Sequence, residues 1–182
     1  MSKTQTNLKS LSQIAVTGAF LAICAQIAVP APVPFTMQTF GIFTALKLLG
    51  GKKGTVSIFI YILLGAFGAP VFASFRGGGG VLAGPTGGYI AGFLITGLLY
   101  LAFEKICKNS ISKNIVLAAG LALCYLFGTV WYAHVLGSRG ETVIFTQALL
   151  TCVVPYLIPD ALKLALSEVL CRRLKKISYF KN

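Results

Sequence analysis

A stretch of roughly 20 apolar residues constrains a chain more than any other feature, because it fits a bilayer as a helix whose backbone polar groups satisfy one another. Such stretches recur along this sequence. The first runs from Leu11 to Val29, others fall at about 35–50, 55–73, 86–103 and 115–136, and a last apolar region lies between 142 and 177. Between them stand explicit breakers: Pro30, Pro32 and Pro34; Gly50, Gly51 and Gly54; Arg76 to Gly80; and Gly137 to Gly140. The first stretch is long for the apolar core of a signal peptide, and no A-x-A-like cleavage site accompanies it, so it reads as a retained helix. Only 11% of the residues are charged and mean hydropathy is +0.82, whereas soluble domains carry about 25% charged residues. A length of 182 residues leaves no room for a soluble catalytic domain beside the spans.

Charge sets the topology. With the amino end inside, the cytoplasmic segments hold Lys3 and Lys9; Lys47, Lys52 and Lys53; Lys105, Lys108 and Lys113; and Arg172, Arg173, Lys175, Lys176 and Lys181. Arg76 and Arg139 fall outside. This asymmetry follows the positive-inside rule, puts both termini in the cytoplasm and requires an even number of crossings. The expectation is an all-α integral membrane protein, a six-transmembrane-helix bundle in which residues 1–182 make one membrane domain. The net charge of +12 is then a matter of topology and of attraction to the lipid bilayer's anionic headgroups, with no nucleic acid as partner.

Several chemistries are excluded by inventory. The five cysteines, at 24, 107, 124, 152 and 171, show no C-x-x-C or His/Cys ligand spacing, and the one histidine, His134, lies beside Trp131 and Tyr132 as part of an interfacial aromatic belt. No metal and no cofactor is expected. With one histidine and one aspartate, Asp160, neither a Ser-His-Asp nor a Cys-His site is expected. The glycine run 77–80 belongs to no G-x-x-x-x-G-K-[ST] pattern, so it carries no P-loop; it reads as a flexible outer loop, either a plain connector or a gate over a pocket. Gly84, Gly88 and Gly92, and likewise Ala15 and Ala19, recur at four-residue spacing and let helices approach closely.

Four acidic residues remain, of which Asp160 stands three residues before Lys163 and therefore on the same helix face. Ions inside a span are costly, so this pair is a functional candidate. If the last span were 142–158, the pair would sit at its cytoplasmic mouth. If instead residues 142–157 form an outer-side segment and the span is 159–177, Pro159 takes the first helical turn and Asp160 meets the positive end of the helix dipole. The basic run from Arg172 then marks the inner end after roughly 12–16 residues, about 18–24 Å. The second geometry is preferred, since it gathers the pair, the proline-rich turn and the glycine loop at one end, where a carboxylate beside an ammonium suits a neutral polar head group.

Three segments then carry a resemblance: V-P-x-P-V-P-F-T-M-Q-T-F from Val29, G-P-T-G-G-Y from Gly84 and P-Y-L-I-P-D-A-L-K from Pro155. Together, in order and over nearly the whole chain, they resemble the signature segments of the BioY family, the biotin-specific substrate-binding subunits of energy-coupling-factor transporters. The resemblance implies capture of biotin at the outer surface, with the D-x-x-K element on Asp160 and Lys163 holding the ureido ring. It implies lining roles for Phe35, Thr36 and Gln38 and for Thr86, Gly88 and Tyr89, and Arg76 is the candidate partner of the biotin carboxylate. An A-x-x-x-A docking element falls on Ala15 and Ala19. It also implies partners, an ECF transmembrane coupling protein and two ATPase subunits, because this chain has no ATP site of its own. Thiamine or riboflavin is the rival ligand, and a small intramembrane enzyme or a structural scaffold the rival class.

Overall fold

The computed structural model describes residues 3–141 and 144–176, and these are almost wholly helical. In chain order the elements are α1 (Lys3–Gln26), the two-residue strands β1 (Ala28–Val29) and β2 (Phe35–Thr36), α2 (Gln38–Ala66), a 3-10 turn (Ala73–Phe75), α3 (Gly79–Leu82), α4 (Gly87–Phe103), α5 (Ser110–Gly137), α6 (Phe145–Cys152) and α7 (Val154–Leu174). Thr142 and Val143, at the start of the expected outer-side segment, lie outside the described residues, as do the end of the last expected span at Ile177 and the basic residue Lys181. Among the described residues, 7–26, 38–66 and 110–137 are helices long and apolar enough to cross a membrane; α6 and α7 together make a bent fourth candidate, and α4 is a shorter apolar helix.

Residues 38–66 are not one straight rod. A continuous helix would separate Gln38 from Tyr61 by about 34 Å, yet Gln38 Nε2 donates to Tyr61 Oη at 2.6 Å. The chain folds back at Gly50, whose φ of 80° and ψ of 170° are open to glycine and strained for any residue with a Cβ. The two arms then pack tightly: a Cβ on Gly54 would stand 2.9 Å from Leu46 Cα. The turn is stapled from outside the hairpin, since Glu104, just past α4, accepts from the backbone N–H of Gly51. Where the sequence placed the second arm's end at residue 73, the helix stops at Ala66, because Gly68 takes φ 101° and Pro70 cannot continue the ladder.

α4 and α5 make the closest helix pair, and glycine permits it. A Cβ on Gly92 would lie 2.5 Å from Cys124 Sγ, and one on Gly120 would lie 2.8 Å from Thr96 Cγ2. Gly88 faces Trp131 and Gly128 in the same way. Gly84 does not join this face. It precedes the helix, and its carbonyl accepts from Trp131 Nε1 at 2.9 Å. A core of Leu21, Ile42, Phe43, Leu46, Ile58, Tyr61, Phe72 and Phe93 joins the arms of α2 to α1 and α4.

The last helix departs from expectation in one respect. It begins at Val154, with Pro155 in the first turn, and Pro159 lies inside it. Proline removes one backbone donor in an early turn, where donors lack partners anyway, so Pro155 is the natural helix start. Asp160 consequently sits in the second turn, beyond the strongest reach of the helix dipole, and must find its partners among side chains.

Candidate functional site

The proline-rich turn, the glycine loop and α7 enclose one chamber. Its wall includes Thr36, Gln38, Arg76, Thr86, Tyr89, Asp160 and Lys163, and borders about 700 Å³ of non-protein space that includes open solvent at its mouth. The remaining wall is mostly apolar or aromatic, with Phe72, Val81, Ile90, Phe93, Leu121 and Tyr156 prominent.

At one side of this wall Asp160 and Lys163 are 3% and 4% exposed, and their ion pair closes at 2.6 Å. A buried ion pair is held only where its other valences are met. Asp160 Oδ1 also accepts from Thr39 Oγ1 at 2.8 Å, and Oδ2 accepts from the Tyr125 hydroxyl. Lys163 Nζ donates to the carbonyl of Thr36 at 2.6 Å and stands 4.0 Å from the centre of the Phe35 ring, a cation–π contact. One pair thus ties α7 to β2, to the head of α2 and to α5.

A carboxylate has about four lone-pair sites, so Oδ2 retains one for an incoming N–H. Lys163, with three donors, serves an incoming carbonyl by releasing Phe35 or Thr36. The group that fits offers N–H and C=O side by side. Beyond it the apolar wall suits a hydrocarbon body, and Arg76, exposed at the mouth, suits an anionic tail.

The other expected residues divide. Thr36 and Gln38 reach the wall but are largely satisfied there: Thr36 Oγ1 donates to Gln38 Oε1 at 2.9 Å, and Gln38 holds Tyr61. Tyr89 lines the wall with its hydroxyl 3.0 Å from Thr129 Oγ1. Phe35 and Gly88 are not among the lining residues. Phe35 stacks on Tyr156 at 5.9 Å and backs Lys163, while Gly88 packs α4 on α5. Ala15 and Ala19 are exposed on α1, far from the chamber in sequence and absent from its wall.

Two rim segments are fastened separately. The proline turn is held to α7 by the Tyr156 hydroxyl, which donates to the Val33 carbonyl at 2.6 Å. The loop after α2 is held to α1 by Gln26, whose amide donates to the carbonyl of Phe72 at 3.2 Å and accepts from the N–H of Phe75 at 2.9 Å. That loop needs a holder, because Ser74 and Phe75 both take left-handed φ, at 60° and 55°, which is unfavourable for residues with a Cβ.

Tyr125, Thr39, Phe72 and Tyr156 were not singled out from sequence. Tyr125 is the most consequential, since among the described residues it alone serves Oδ2. A hydrogen bond to a charged group is worth about 1.5–3 kcal/mol, and Tyr125→Phe is expected to lower stability by that order, read as a lower unfolding midpoint in detergent. An unchanged midpoint would mean that Oδ2 had found another donor.

A family model described as the BioY family matches residues 1–179. A biotin transporter BioY of Thermotoga maritima is 36% identical over 93% of this chain and 98% of its own length. A probable biotin transporter BioY of Pyrococcus horikoshii is 38% identical over 92% of this chain and 96% of its own. The crystal structure of the S-component for biotin from an ECF-type ABC transporter superposes with a TM-score of 0.85 at 29% identity, covering 100% of this chain and 97% of that one.

Proposed function

The chain belongs to the BioY family, and from that membership and the chamber's chemistry we propose that it captures biotin at the extracellular face and delivers it inward as the substrate-binding subunit of an ECF-type importer. It is a transporter subunit rather than an enzyme. The observation that carries the ligand assignment is the buried pair Asp160–Lys163 on the wall of an otherwise apolar chamber. The ureido ring of biotin presents two N–H groups and a carbonyl to that pair, the free valence of Asp160 taking an N–H and Lys163 turning to the carbonyl. Thr36, Gln38, Thr86 and Tyr89 border the ligand, its thioether ring and chain lie on the apolar wall, and Arg76 meets its carboxylate. Phe35 and Gly88 act from behind, one under Lys163 and one in the α4–α5 packing.

Six crossings follow if the two arms of α2 count separately, together with α1, α4, α5 and α7, and α6 lies on the outer side. The contacts support this count, because Gln13 meets Lys53 and Lys47 meets Glu168 at one end, while Gln26 meets Phe72 and Thr39 meets Asp160 at the other. The basic end is cytoplasmic and holds both termini, which sets the chain in the cell membrane as a single membrane domain. Energy comes from partners, an ECF transmembrane coupling protein and two ATPase subunits, with Ala15 and Ala19 as the docking face.

Binding of biotin by the purified chain in detergent, with thiamine and riboflavin as controls, tests the assignment; absence of saturable, biotin-selective binding would refute it. The topology is tested at Ile158, which is 76% exposed. Ile158→Cys is expected to react with an impermeant thiol reagent added outside intact cells, and labelling only after the cells are opened would reverse the placement of α7.

A further inference from the structure

At the end opposite the chamber, two adjoining cavities open between the Gly50 turn, the end of α4, the start of α5 and the end of α7, the larger holding about 900 Å³ of empty space counted to its mouth. Their walls carry Lys47, Lys52, Lys53, Lys113, Arg172 and Lys175 against two carboxylates. Both carboxylates are engaged. Glu104 accepts from Gly51 N–H, and Glu168 takes Ser110 at 2.5 Å, Arg172 at 2.9 Å and Lys47 at 3.2 Å. Lys53 donates to Gln13 at 3.2 Å.

Lys52, Lys113 and Lys175 are left, and among the described residues none of the three joins an ion pair. Lys113 and Lys175 border both cavities, as does Tyr100, a residue only 2% exposed whose hydroxyl makes no hydrogen bond among the described residues. Cations drawn from separate elements around one recess repel each other unless an anion joins them. A positive-inside excess explains why lysines lie at this end; it does not explain three of them bordering a recess beside an unpartnered hydroxyl.

We propose that this basin binds a phosphate-bearing anion, and that its occupant is the headgroup of an anionic phospholipid of the inner leaflet. The lysines surround the phosphate charge, Tyr100 supplies an O–H donor, and the acyl chains leave along the apolar outer faces of the helices. The choice of a lipid rests on the six-span topology above, which puts this end in the inner headgroup layer; the basin itself is independent of the biotin assignment.

The test uses the full chain in mixed micelles. Phosphatidylglycerol at about ten times its half-saturating concentration is expected to raise the unfolding midpoint by about 3–6 °C over phosphatidylcholine, and inorganic phosphate is the soluble arm. In the triple variant Lys52→Gln, Lys113→Gln, Lys175→Gln the difference disappears while biotin affinity stays within about twofold, given that the two sites share no residue. Should the triple variant fail to fold, Lys52→Gln alone, at an exposed position, is expected to reduce the difference. Equal midpoints in the two lipids, or a difference undiminished in the variants, overturns the site. A shift matched by inorganic phosphate keeps the anion site and overturns its lipid occupant. Loss of biotin binding with the lipid effect intact would strike the functional assignment alone.

Discussion

Lys163→Ala is expected to weaken biotin binding at least about 30-fold, because truncating one member of a buried, hydrogen-bonded charge pair typically costs 2–5 kcal/mol. Two effects add at this position. The ammonium is the donor available to the ligand's carbonyl, and its removal leaves Asp160 buried at 3% exposure with only the neutral donors Thr39 and Tyr125. Asp160→Asn is gentler in shape, and is expected to lose at least about 10-fold, a hydrogen bond to a charged group being worth about 1.5–3 kcal/mol. Its amide either keeps its acceptor for Thr39 and Lys163 and turns a donor toward Tyr125, or keeps it for Tyr125 and turns donors toward Thr39 and Lys163. Both affinities are measured by titration on detergent-purified protein, with helical circular dichroism confirming the fold. Folded variants whose affinities both lie within threefold of the parent would return the pair to a purely structural clamp.

That alternative is physically serious, since the pair joins four elements without a ligand. Lys163 reaches β2, and Asp160 reaches α2 and α5. The double variant Asp160→Ala, Lys163→Ala separates the roles: a clamp that is deleted whole can be nearly neutral for stability, while the loss of ligand contacts persists in the affinity.

The convergence on one chamber was legible because proline, glycine and an isolated charge pair are rare inside apolar sequence and each has a narrow structural meaning. Finer placement was not legible. Pro155 and Pro159 are both acceptable near a helix start, and the helix begins at the first. The Gly50 reversal could be read from its glycines, but where the returning arm would stop depended on Gly68 taking a positive φ. Tyr125 carried no signal, as an apolar helix does not announce which of its aromatic residues meets a carboxylate 35 positions away. Gly88 was read both as part of a close-approach face and as wall, and it packs against Trp131 and Gly128 outside the lining, because a glycine near a site serves close helix approach as readily as ligand contact.

Ala15→Trp with Ala19→Trp is expected to reduce biotin uptake in cells to background, a loss of at least about tenfold if docking requires close helix approach, while the purified variant binds biotin within about twofold of the parent. α1 buries Gln13, Thr17, Leu21, Cys24 and Ala25 against the bundle and turns Ala15 and Ala19 outward between Leu11, Val16 and Ile23, which are 63%, 55% and 63% exposed. Within lipid an apolar helix face gains little by leaving acyl chains for another protein, so association relies on backbones approaching closely over small residues. Two indoles hold the partner away. They meet no bundle residue, and tryptophan is tolerated in a membrane-spanning helix, so insertion and the distant chamber are left intact. The split between the two measurements is the diagnostic: a folding defect would lower both, whereas a docking defect lowers uptake alone. Parent-level uptake from the doubly substituted chain at equal expression would move the docking face off α1 and leave Ala15 and Ala19 as lipid-facing residues.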